Sequence, residues 1–430
     1  MYTDGLWIVM GQISAALGVL FGIRLLTEVM PPDVFGSVTL LSGMAALAVG
    51  IFSTPIMQAV LRLYPEYASQ DGVASLRRVA LSGLLRRGLW CYLALLCGLV
   101  GYGHFYEMSI LVGLLLAAMM ATDSIRSLES SLLNAARRQR PFALLSVFEA
   151  WGKPLAAVAL VQVFGPSVDS VLTGYVVAAI VTLITYYAFV TPEGTTGTAA
   201  SSADRSALEK RVSSYSLPLV PMGILGWVTG VGDRYLIGGL LGVDKVGIYA
   251  AIYGLVSRPF LMLGSAVELT FRPIYNKAVV TDSPSEPRKV LRNWLLLLMG
   301  AGGIGFVFFT ALAPTIVNVL VAEEYRSGAR LVPWIAAGYV LLILSYVFEK
   351  VCYAYEATHL ILLTQLCGAL ASLGIAFAAI RAWGLIGAAA AVPAYCGLQL
   401  LIAALAANWT YSTAQQAGTT RRALSAASKH

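Results

Sequence analysis

A lysine or arginine held at bilayer depth costs about 2.5–3.5 kcal/mol even on lenient insertion scales, unless it meets a counter-charge, a wet cavity or a ligand. Four basic residues stand in otherwise apolar sequence here: Arg24, Lys153, Arg234 and Arg258. Their chemistry is anion recognition. Lys153 follows Glu149 by one helical turn, the favourable order for an i, i+4 pair, and Asp123 and Arg126 are spaced i, i+3 to pair within their own run. Arg234 adjoins Asp233, and Arg24 is long enough to snorkel to an interface. Arg258, in "AIYGLVSRPFLMLGSAVELTF", has no acid within one turn. Its charge must face water, an acid of another helix, or an anionic ligand.

Carboxylates in the same runs, Asp123, Glu149 and Glu268, offer a second chemistry, the coupling of transport to protons or sodium. Catalysis is not indicated, because His104, His359 and His430 are isolated and the outer connections are too short to carry an active site. Cys91, Cys97, Cys352, Cys367 and Cys396 lie in or beside apolar runs without a Cys-x-x-Cys pair and read as small buried hydrophobes. No cofactor or metal is expected.

The elements that must position these residues are membrane helices. Of 430 residues 58% are hydrophobic and only 12% charged, against about 25% charged in soluble domains. Runs near the twenty residues a bilayer requires occur at about 5–27, 35–61, 80–102, 108–130, 142–164, 169–190, 214–241, 246–271, 291–319, 331–353, 359–380 and 383–407. They are too long for barrel strands. The first run lacks a basic flank and exceeds a secretory h-region, so it is expected to remain in the mature chain.

The polar stretch "TPEGTTGTAASSADRSALEKRV" divides the runs six and six. Residues 1–190 are expected to form an N-terminal lobe, 191–212 a cytoplasmic linker, 213–407 a C-terminal lobe and 408–430 a loose cytoplasmic tail. The formal charge of +7 does not point to nucleic acid, because the basic residues sort by membrane side. Connections after even-numbered runs carry Arg62, Arg77, Arg78, Arg86, Arg87, Arg137, Arg138, Arg140, Arg205, Lys210 and Arg211, whereas those after odd-numbered runs carry few. Both termini are therefore expected in the cytoplasm.

Each half opens similarly: Asp33-Val-Phe-Gly36 runs seven residues on to Gly43, and Asp244-Lys-Val-Gly247 seven on to Gly254. Two such repeats of one orientation are expected to enclose a central cavity. Asp33 and Asp244 read as caps of the second and eighth helices. Pro154 and Pro259 each follow a central basic residue, and Pro218 and Pro221 stand in the seventh run, which suggests bent helices around a polar space.

The stretch "GDRYLIGGLLGVDKVGIYAAIYGLVSRPFLML" resembles the opening of the second half of bacterial polysaccharide repeat-unit flippases, the polysaccharide-transporter branch of the MATE-like (MOP) flippase superfamily. "LLTEVMPPDVFGSVTLLSG" resembles that family's first loop and second helix, and "RAWGLIGAAAAVPAYCGLQLL" its last helix. The resemblance implies an all-α membrane protein of twelve transmembrane helices in two six-helix lobes. It further implies an undecaprenyl-diphosphate-linked oligosaccharide as cargo, moved by alternating access across the bacterial inner membrane for surface polysaccharide such as O-antigen or exopolysaccharide. Arg24, Lys153, Arg234 and Arg258 are then the candidates to hold the cargo. The partners implied are membrane lipids and polysaccharide polymerase or chain-length machinery, with a monomer as the working unit. An ion-coupled multidrug or metabolite exporter of the same fold is the alternative.

Overall fold

A computed structural model describes residues 2–103, 110–195, 202–280, 286–355 and 357–427. In hydrocarbon every backbone N–H must be satisfied within its own segment, so long apolar runs become helices. Those described are α1 (Tyr2–Val29), α2 (Pro32–Leu63), α3 (Gln70–Gly103), α4 (Ile110–Ala135), α5 (Gln139–Phe164), α6 (Val168–Phe189), α7 (Ser202–Ser216), α8 (Val220–Leu241), α9 (Val243–Val280), α10 (Glu286–Ala311), α11 (Ala313–Leu320), α12 (Val332–Ala354) and α13 (Thr358–Ala427). Among the described residues there is no strand, and ten stretches are long and apolar enough to cross a bilayer. The last of them, His359–Thr413, holds two of the expected spans, because α13 is two helices joined at Gly384, whose φ of 59° suits glycine. The expected span at 80–102 lies in α3, outside the ten. The protein is an all-α integral membrane protein.

The chain forms two compact units: 1–227 with 243–248 and 320–325, and 228–242 with 249–319 and 326–430. In the first, Phe52, Ile56, Leu116, Leu128, Leu132 and Leu172 of α2, α4 and α6 share one apolar core. Glycines let α1 lie against α5: a Cβ on Gly18 would stand 2.9 Å from the Trp151 ring, and one on Gly22 2.9 Å from Pro154. The Trp151 indole N–H donates to the Ser14 carbonyl at 3.0 Å. At the start of α9, Gly247 meets the Pro32 carbonyl of α2 so closely that a Cβ would overlap it, and Gly36 meets the Val243 carbonyl in the same way. The second unit packs around Trp294, Tyr275, Ile343 and Val347, with Trp294 stacked on Phe271.

Several sequence expectations change. Asp33 and Asp244 occupy the first turns of α2 and α9 rather than cap positions; α2 begins after Pro31, which has no side-chain acceptor. There the carboxylates still favour the positive helix end. Pro154 and Pro259 sit inside α5 and α9, while Pro218 lies in a 3-10 turn, Leu217–Leu219, between α7 and α8, and α13 breaks at Gly384. Asp233 and Arg234 lie two turns inside the C-terminal end of α8. Part of the linker is the helix α7, and the tail continues α13 to Ala427. Residues 196–201 of the linker and 428–430 of the tail lie outside the described residues, as do His104 and His430. Arg77, Arg78, Arg86 and Arg87 belong to α3 rather than to a connection.

Candidate functional site

In the first unit α4 and α5 bring four charges together. The Lys153 ammonium donates to Asp123 Oδ1 and Glu149 Oε1, both at 3.0 Å. Arg126 pairs with Glu149 Oε2 at 2.8 Å and approaches Asp123 at 3.9 Å. One turn of α5 separates Glu149 from Lys153, and facing positions on α4 supply the others. Two bases and two acids cancel, so this cluster is neutral as it stands. All four side chains keep about a fifth of their surface exposed, which leaves the group open to water. Arg24 is not part of it: on α1 it pairs with Glu28 at 2.8 Å, while its Nη1 is buried without a partner.

A second polar group in this unit escaped the sequence reading. Arg77 holds the fully buried Glu129 with both terminal guanidinium nitrogens, Nη1 donating to Oε2 at 3.0 Å. Tyr186 and Tyr187 of α6 donate to the same carboxylate at 3.1 and 2.8 Å. Arg77 also donates to the Glu193 carbonyl at 3.0 Å, tying α3, α4 and α6 to the start of the linker. Its one sequence signal is a lone glutamate in the apolar "SLESSLL" of α4.

In the second unit Asp233 accepts from the Tyr249 hydroxyl at 2.6 Å. Arg234 lies 3.6 Å from Asp233, donates to the Gly230 carbonyl at 2.7 Å and stands 4.5 Å over the Tyr253 ring. That answers its burial: charge, hydrogen bond and ring face are all matched. Glu268 is held by Lys350 at 2.9 Å and Arg272 at 3.2 Å, beside a cavity of about 50 Å³ lined by Ser265, Trp294 and Tyr346. Glu349, buried in α12, accepts from two amides, Gln365 at 3.0 Å and Gln399 at 3.4 Å. Arg258 differs from all of these. It stands exposed on α9 and forms no hydrogen bond or ion pair with any described residue.

The structure thus unites Lys153, Asp123 and Glu149, gives Arg24, Arg234 and Glu268 separate partners, and leaves Arg258 without one among the described residues. Long apolar helices that carry paired charges within them define a multi-pass membrane protein. A multidrug resistance MATE family transporter of the MOP superfamily, inward-facing, superposes with a TM-score of 0.70 at 13% identity, over 94% of this chain and 96% of that one. The lipid II flippase MurJ, inward closed, gives 0.73 at 12% identity over 95% and 88%. A MOP superfamily transporter from Pyrococcus furiosus gives 0.63 at 12% identity over 94% and 95%. At such identities the likeness is one of fold. No curated protein matches the chain. Residues 2–279 match the family described as polysaccharide biosynthesis protein, and the chain belongs to that family.

Proposed function

We propose that the protein is a flippase that carries undecaprenyl-diphosphate-linked oligosaccharide repeat units across the bacterial inner membrane. In this reading residues 1–190 and 213–407 are two six-helix lobes that open alternately to either side, and both termini lie in the cytoplasm. The family supports a polysaccharide pathway, and MurJ, a lipid II flippase, shares the fold. The observation that carries the reading is Arg258, an uncompensated guanidinium within an apolar helix. Such a charge is stabilised by an anion, and a planar guanidinium matches phosphate oxygens in bidentate fashion. Lys153, Arg24 and Arg234 are the further candidates; their present carboxylates hold them until a cargo anion competes.

Replacing Arg258 tests this in cells lacking the native gene. Arg258→Ala is expected to abolish surface polysaccharide while the protein inserts at normal level, and Arg258→Lys to restore part of it. Undiminished polysaccharide in the alanine variant removes the residue from the transport path.

One observation favours a second reading, an ion-coupled exporter. Glu349 is buried with two amides and no ion pair among the described residues, a setting in which a carboxylate gains from a proton or a cation. With Asp123, Glu149 and Glu268 it supplies the coupling groups either reading would use.

A further inference from the structure

The face of α3 that meets α7 carries charge without counter-charge. Val79, Ser82, Gly83, Arg86 and Arg87 recur at helical spacing along it, so all five face one cavity of about 170 Å³. Arg205, Glu209 and Ser213 of α7 close the opposite wall, and Ile56 of α2 the floor. Gly83 keeps the floor open, since a Cβ there would come within 3.3 Å of Ile56.

Three guanidiniums and one carboxylate line this space. The carboxylate is engaged, because Arg205 Nε donates to Glu209 at 3.0 Å. Arg87 is half-buried and donates to two hydroxyls, Ser216 at 2.9 Å and Ser213 at 3.0 Å, with no carboxylate partner. Arg86, next to it, has no hydrogen bond or ion pair with any described residue. Two positive charges on one cavity therefore stand unbalanced. Elsewhere in this unit the chain answers embedded arginines with carboxylates, as at Arg77 and Arg126. At about 30 Å³ per water the cavity has room for roughly six waters, enough for a phosphate or diphosphate group. Serine hydroxyls beside guanidinium forks are the donor set phosphate oxygens take.

We propose that this cavity is a binding site for a phosphoryl group, carried either on a lipid headgroup or on a soluble phosphate ester. It stands on the linker side of the first unit and shares no residue with the Lys153 cluster. In the flippase reading its place is to receive the cargo diphosphate before transport, but the binding itself does not require that reading.

The test uses the full chain in nanodiscs of zwitterionic lipid, with inorganic diphosphate titrated by calorimetry. Arg86→Gln is the informative variant, because Arg86 is exposed and without a partner, whereas Arg87→Gln also loosens α7. Losing a charge-assisted contact is expected to weaken diphosphate binding about tenfold or more, while Lys289→Gln, exposed on α10, stays within about twofold. Polyprenyl diphosphate built into the disc separates the sources: competition with inorganic diphosphate assigns the site to a lipid headgroup, and its absence to a soluble ester. No diphosphate binding by the unaltered protein, or equal binding by Arg86→Gln, overturns the proposal. A failed flipping assay with diphosphate binding intact sinks the cargo reading and leaves this site standing.

Discussion

Removing the Glu129 carboxylate leaves the Arg77 guanidinium nearly buried with its main counter-charge gone. Breaking one partner of a buried pair costs about 3–5 kcal/mol, whereas replacing both by well-packed apolar groups is often neutral. Glu129→Gln is therefore expected to lower the melting temperature sharply in detergent, and the pair Arg77→Met with Glu129→Leu to recover much of the loss. A double variant no more stable than Glu129→Gln would show that the tyrosine hydroxyls, not the charge, hold the group. The same logic separates the basic residues by their surroundings. Arg234 has an acid, a carbonyl and a ring, so its burial is matched, and Arg258 has none of these. The sequence placed Lys153 beside Glu149 because one helix supplies both. It could not place Asp123 beside them, since that contact joins α4 to α5 across thirty residues.

Glycines decide how closely the elements approach, and two of them make opposite demands. Gly247 has ordinary backbone dihedrals but lies so near the Pro32 carbonyl that any side chain must push α9 from α2. Gly384 has open space around it, a φ of 59° and a ψ of −138°, so its requirement is conformational alone, worth about 1–3 kcal/mol for an L side chain. Gly247→Ala should consequently destabilise more than Gly384→Ala, read as melting temperatures of the two purified proteins. Equal losses would mean that the α2–α9 contact yields easily. Sequence spacing singled out Gly36 and Gly247 as matching points of a repeat, yet their shared role, a backbone seam within one unit, depends on the fold bringing 32–36 to 243–247. Run length gave the helices well, because hydrocarbon allows the backbone little else. It gave the helices that run through Pro154 and Pro259, but not the helical α7 in the polar linker, whose residues lack an apolar run.

For the whole molecule the question is which side each end faces. Helices stack the same way in either orientation, so the argument must come from charge. Arginine and lysine resist translocation, and the bias is strongest in short connections. Arg137, Arg138 and Arg140 lie at the α4–α5 junction, while Gly165-Pro166-Ser167, between α5 and α6, has no charged residue. Arg86 and Arg87, which the sequence reading assigned to a connection, instead line α3 near α7, so they still count on the linker side. These placements set up a paired measurement. A phosphatase reporter, active only outside the cytoplasm, fused after Ser201 is expected to be silent, and one fused after Gly165 to be active, in the same strain. Activity at Ser201 with silence at Gly165 would invert the molecule, and with it the side on which the cavity lined by Arg86 lies. Activity at both positions would break the six-and-six arrangement itself, since one crossing of α6 must separate the two points.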